Sequence, residues 1–211
     1  MHPVTLLVLF TQLGATAPDL TTARQWFEAG QHQQVVAVAL NDNTTPALVY
    51  LVARSHDQLK QPVAARAAYE RLAARPQTDP WHFIGRSAVL LTAPQPTQVT
   101  TAANQPAATE QAVAAANRAV ALGPTVAEAH FQLGLARAER RDYVRAAPAF
   151  EAAIAIDPMP AYPHYYAGLS YYQAKRIDLM AEFFESFLKL APNAPERPQV
   201  ESTMRTVRGR R

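Results

Sequence analysis

The sequence contains no cysteine. Disulfides, thiolate nucleophiles, Cys-ligated zinc and iron–sulfur clusters are therefore excluded. Glycine is scarce, with seven residues scattered over turns and packing points, and none forms a loop that could cradle a phosphate. Long hydrophobic runs are missing as well. The run at 4–10 (VTLLVLF) is too short to span a bilayer as a helix, and no later segment is long and apolar enough to anchor the chain. An excess of one charge is lacking over most of the length. Residues 1–195 carry fifteen basic and fifteen acidic side chains. A nucleic-acid binder needs a basic stripe across its surface, so this balance argues against that class. The net charge of +3 resides at the end, where Arg197, Arg205, Arg208, Arg210 and Arg211 face only Glu196 and Glu201.

What is present is an alanine-rich chain that is 49% apolar, with 17 prolines clustered at a few places. That pattern predicts helices punctuated by stops. At the start, the short apolar run is followed by Ala15-Thr16-Ala17, the small-x-small pattern of a signal-peptidase site. Residues 1–17 are expected to be a signal peptide, although the run is preceded by no Lys or Arg and Pro18 follows the cleavage position. The expected location is periplasmic or secreted. The alternative is a cytoplasmic chain in which these residues begin the first helix.

Internal periodicity is the strongest signal. Residues 127–158 and 161–192 repeat at an offset of 34. His130 falls on His164, Gly134 on Gly168, Phe150 on Phe184 and Pro158 on Pro192. Each unit reads as two amphipathic helices split by a polar turn, Arg140-Arg141-Asp142 in one and Ala174-Lys175-Arg176 in the other. Such a pair cannot bury its apolar face alone, and stacking on the next pair completes a continuous core. Upstream, 46–59 and 62–74 form a weaker pair, and Trp81, Ile84 and Gly85 open another that closes with 109–122. Between its halves, 92–108 is rich in Pro, Thr and Gln and reads as an exposed insertion. A degenerate first unit covers about 19–41, with Gly30 in its turn. Segment 193–211 holds a last short helix and the basic tail, and Val200, Met204 and Val207 give that helix the single apolar face of a cap.

Leu133-Gly134, Tyr143, Ala146, Phe150, Ala153 and Pro158, with Gly168, Tyr171, Phe184 and Pro192 one unit later, resemble the tetratricopeptide repeat. The resemblance implies an all-α solenoid of antiparallel helix pairs, about four units plus the degenerate first one over 18–192, wound into a superhelix. It also implies a protein- or peptide-binding scaffold, of the kind found as small exported bacterial proteins. Met180 departs from the family, which prefers a small residue there. Pro148 lies inside a second helix and could bend it.

No residue constellation points to catalysis. Ser55-His56-Asp57 places a triad's side chains in a row, but helical neighbours point about 100° apart and cannot converge on one substrate. Neither G-x-S-x-G nor H-E-x-x-H occurs. His130 and His164 recur at a packing position with no carboxylate placed to complete a metal site. The chain is expected not to be an enzyme and to need no cofactor or metal.

The candidate binding surface is aromatic. Tyr162, Tyr165, Leu169 and Tyr172 share one face of a helix whose other apolar face carries His164, Ala167, Gly168 and Tyr171. By resemblance, the first face lines the concave groove. Phe131, Leu135 and Glu139 are the corresponding positions one unit earlier, His82, Arg86 and Val89 continue the groove, and Tyr50 and Arg54 lie beyond. Tyrosine suits recognition because it offers large contact area and a polar tip at low entropy cost. The competing expectation is that the C-terminal helix folds over this stripe. The expected partner is another protein or a peptide segment. A self-associating envelope assembly factor, and a non-catalytic member of a multi-chain system, stand as alternatives.

Overall fold

The computed structural model describes residues 19–92 and 105–209. The expected signal peptide, most of the expected insertion and the last two arginines lie outside these residues. Among the described residues there are eleven helices and no strand. They are α1 (Leu20–Glu28), α2 (His32–Val36), α3 (Pro46–Gln58), α4 (Pro62–Ala73), α5 (Pro80–Leu91) and α6 (Gln105–Leu122), followed by α7 (Ala127–Glu139), α8 (Tyr143–Ile156), α9 (Ala161–Gln173), α10 (Ile177–Leu190) and α11 (Arg197–Arg208). Helix α6 starts at Gln105, so four residues expected in the insertion are helical.

Local chemistry sets the boundaries. Pro46, Pro62 and Pro80 occupy first-turn positions, where the missing N–H costs nothing. Asp19 and Asp79 cap α1 and α5 by accepting from the Thr22 and Trp81 amides at 2.8 and 2.9 Å. The turn inside four of the pairs passes through one left-handed residue: Gly30, Lys60, Arg141 or Lys175. Pro148 sits within α8 on its exposed side, and the helix runs on through it.

Consecutive helices pack in antiparallel pairs, and the odd-numbered helices also touch one another as α1 on α3, α5 on α7 and α7 on α9. They form the inner layer of a solenoid. Small residues allow close approach here, as the Phe150 and Phe184 rings lie over Gly134 and Gly168 of their own pairs. The cap is as expected, with Val200 and Met204 buried and Val207 partly so.

One core cluster joins the two ends of the array. It brings Phe27, Val35, Leu48 and Val52 from α1–α3 together with Tyr162, Phe184, Phe187 and Val200 from α9–α11. The Phe27 and Tyr162 rings meet edge-on at 5.0 Å between centroids. Around them, Arg24 pairs with Asp157 at 3.0 Å and Glu128 at 3.2 Å. Glu28 accepts from the Ala161 amide at 3.2 Å. Pro195 packs so close to Gly30 that a Cβ there would meet its Cδ at 2.9 Å. The solenoid is thus closed on itself by its first pair.

Candidate functional site

The inner helices carry the expected groove positions, and the closure decides their exposure. Tyr162 is 2% exposed, Tyr165 9% and Phe131 8%. The expectation of an open groove is corrected at Tyr162 and Tyr165 of the stripe and at Phe131 one unit earlier. The physical reason is the N-terminal pair at Tyr162, the paired helix α10 at Tyr165, and Arg54 of α3 with Tyr166 at Phe131. Phe27 of α1 covers Tyr162, while Phe184 of α10 stacks beside Tyr165 and Phe187 packs tilted against it. Glu196, at the start of α11, accepts from the Tyr162 hydroxyl at 3.0 Å. Leu135 and Leu169 remain partly open, and Glu139 and Tyr172 are exposed.

Arg86 does not reach the groove. It is exposed, and α5 is turned so that Gly85 faces Tyr69, Leu72 and Ala73 of the preceding helix α4. Gly134 and Gly168, by contrast, face their own following helices. The Leu-Gly register read for α7 and α9 therefore does not carry back to α5. The inward residues of α5 are Ser87, which bonds Gln132, and Ala88 and Leu91, which wall a cavity.

That cavity, of about 720 Å³, opens on the concave side where the odd helices end and the even ones begin. Pro62, Tyr69, Leu91, Leu135, Tyr143 and Leu169 supply much of its wall. Its size lies in the range of ligand pockets, and its lining of apolar and aromatic groups with a few polar ones is typical of them. Arg54 stands at its deep side and also borders a smaller void of about 80 Å³ under α1. From α3 it reaches across the interior. Its Nη2 donates to the Tyr166 hydroxyl at 3.1 Å, and its guanidinium lies 5.0 Å from the Phe131 ring centre and 5.4 Å from that of Tyr166. Burial opposes its charge, but the surrounding Tyr166, Tyr50, Tyr69 and Asp57 outweigh that, and its pKa lies above the ordinary value. Asp57 accepts from the Tyr69 hydroxyl at 2.6 Å, and burial raises its carboxyl above the usual range. The Tyr50 hydroxyl donates to Gln132 at 2.8 Å and closes the floor.

Of the two positions expected furthest upstream in the groove, Arg54 borders the cavity, whereas Tyr50 is buried in the core. Tyr166 and Gln132 were not legible in the sequence, because they matter through contacts with the distant helix α3, and Asp57 matters through its bond to Tyr69 of α4, none of which spacing within one helix announces. The recurrent histidines have a structural use. His82 and His130 bond the backbone carbonyls of Arg75 and Pro124 at 2.9 Å, tying each helix start to the linker before it. His164 departs from this use, because both of its ring nitrogens are buried without a hydrogen-bond partner. Ser55 donates to the Leu51 carbonyl and the His56 ring bonds Gln61, so the row of triad residues does not converge. Among the described residues no cluster of His, Asp and Glu could hold a metal ion. No helix among them is long and apolar enough to cross a membrane.

Two stretches, 127–159 and 164–194, match family models described as tetratricopeptide repeat. No curated protein matches the chain. Among solved structures, the chain is similar to TTC0263, a thermophilic TPR protein of Thermus thermophilus. The TM-score is 0.62 at 19% identity, covering 89% of this chain and 95% of that one. It is also similar to YrrB, a TPR protein with an unusual peptide-binding site. There the TM-score is 0.50 at 18% identity, covering 87% of this chain and 90% of that one. The chain thus carries tetratricopeptide repeats at 127–159 and 164–194, set in a paired-helix array that runs from α1 to α10.

Proposed function

We propose that the chain is a non-catalytic scaffold that binds a protein or peptide segment in the open part of its concave face. The observation that carries this reading is the cavity of about 720 Å³, left open on a face whose other half is filled by the chain's own N-terminal pair. Its apolar walls and few polar groups suit a bound side-chain array better than a reaction. No arrangement of nucleophile, base and stabilising donors accompanies them. The peptide-binding site that YrrB is described as carrying on a similar fold is consistent with this use. We further propose that the chain is exported, on the strength of the apolar run and Ala15-x-Ala17 at its start.

The test is capture from the cells that make the protein, with three baits of matched helicity. A Leu135→Asn, Leu169→Asn variant alters the cavity wall. A Met159→Ser variant alters a residue that is 72% exposed at the opposite end of the helices. The reading expects one partner to be held by wild type and Met159→Ser and lost from the wall variant. Equal capture by all three would overturn it.

A further inference from the structure

The floor of the cavity holds a buried cation, Arg54, that is 7% exposed and that no carboxylate of the described residues touches as an ion pair. Its Nε is sealed from solvent and has no acceptor. The Tyr166 hydroxyl is the acceptor its guanidinium does have, at 3.1 Å. Asp57, one turn further along α3, is already engaged by the Tyr69 hydroxyl. At the rim, the exposed Lys60 adds a second cation and Glu139 a single anion. A buried cation without an anionic partner is costly, and a buried donor without an acceptor calls for a specific reason. A ligand carboxylate in the cavity supplies the missing anionic partner, because its two oxygens match the planar donors of a guanidinium.

The walls narrow the ligand further. Arg54 projects between two apolar sides. Pro62, Tyr69 and Leu91 stand on the α4–α5 side, and Leu135 and Leu169 on the α7–α9 side. A carboxylate that ends a chain would leave one of these sides empty, whereas an acidic side chain within a segment brings neighbours for both. Resting on the peptide-binding reading above, we propose that the cavity selects a peptide segment with an internal Asp or Glu flanked by apolar residues. Arg54 is the specificity-determining residue.

The experiment selects displayed random peptides on the full chain, then resynthesises the winners with both ends blocked and measures binding by fluorescence polarisation. The winners carry an acidic residue between apolar ones. Changing that residue to its amide weakens binding about thirtyfold or more, the scale of losing one partner of a buried hydrogen-bonded charge pair. Arg54→Met weakens the acidic peptide by a similar factor, and the amide peptide on Arg54→Met is no worse than either change alone. If Arg54→Met proves misfolded by circular dichroism, the peptide substitution on wild-type protein decides alone. Winners that depend on Leu135 and Leu169 but tolerate the amide overturn the inference and leave peptide binding standing. So does binding that appears only when the C-terminus is left free. If no winner is weakened by Leu135→Asn, Leu169→Asn, the peptide-binding reading falls and this inference with it.

Discussion

Gly134 and Gly168 sit where the inner and outer helices of their pairs come closest, each beneath a phenylalanine that is essentially fully buried. A methyl group at either position must displace a ring that has no room to move. Gly134→Ala is expected to cost about 1–3 kcal/mol, the scale of overpacking a tight core. Urea denaturation followed by circular dichroism measures it, and an unchanged midpoint would contradict the packing described. Glu28 is the second telling residue. Burial in the seam raises its carboxyl from the ordinary 4.5 to about 7. Glu196 adds to the rise, while the Ala161 amide and Arg24 oppose it. Its Oε2 is sealed without a partner. A raised carboxyl pKa means that the folded chain favours the neutral form. The stability linked to Glu28 is therefore fully present below about 4.5 and is lost as the pH rises through about 7. Glu28→Gln fixes the neutral form. Its stability relative to wild type is expected to be small at pH 5 and to grow to a plateau above pH 7. Comparing the two chains at each pH cancels the opposite trend of the neighbouring His32, whose pKa burial lowers. A difference independent of pH would place Glu28 outside the seam. Residues of this kind were unreadable in the sequence: Glu28 is an ordinary glutamate until Ala161 and Glu196 are brought to it.

At the scale of elements, the 34-residue offset made α7–α10 readable, because glycine, phenylalanine and proline mark the same three physical needs in both units. The upstream pairs were readable as helices but not as orientations. Helix α5 shows why. Gly85 suggests the same register as Gly134, yet it serves a contact with the helix before it and carries Arg86 to the outside. Hydrophobic spacing fixes that a helix has an apolar face, not which neighbour that face meets. The pair α1–α2 is short, with nine and five residues, and too small to hold itself together. Its order comes from docking on α3 and α9, chiefly through Phe27. Phe27→Ala is expected to remove about 3–5 kcal/mol of packing at this site. Hydrogen exchange should then rise across α1 and α2 and at 162–166, while α7 and α8 keep their protection. A uniform rise over all helices would mean that the pair belongs to one indivisible core. Arg24→Ala removes two ion pairs, but the side chain is 35% exposed, so its effect is expected to be about 1 kcal/mol or less.

For the whole molecule, the decisive event is that the first pair reaches the last. The stripe of Tyr162 and Tyr165 has the composition of a recognition surface, and this chain uses it to recognise its own N-terminal pair. That could not be read from local patterns, since a solenoid's curvature accumulates over every pair and only the sum decides whether its ends meet. Closure also explains why the open cavity lies to one side of the concave face, and why Arg54 is buried at the centre. The proposed binding mode stands or falls with it. The absence of cysteine makes the direct test clean. Arg24→Cys and Asp157→Cys, whose native side chains are 3.0 Å apart, are introduced together and treated with a short bismaleimide at low protein concentration. The account predicts rapid intramolecular cross-linking of a monomer that keeps its helicity and its ligand-accessible cavity. A folded chain that stays uncrosslinked, or links only between molecules, would mean that the array is open in solution and that the tyrosine face is free after all.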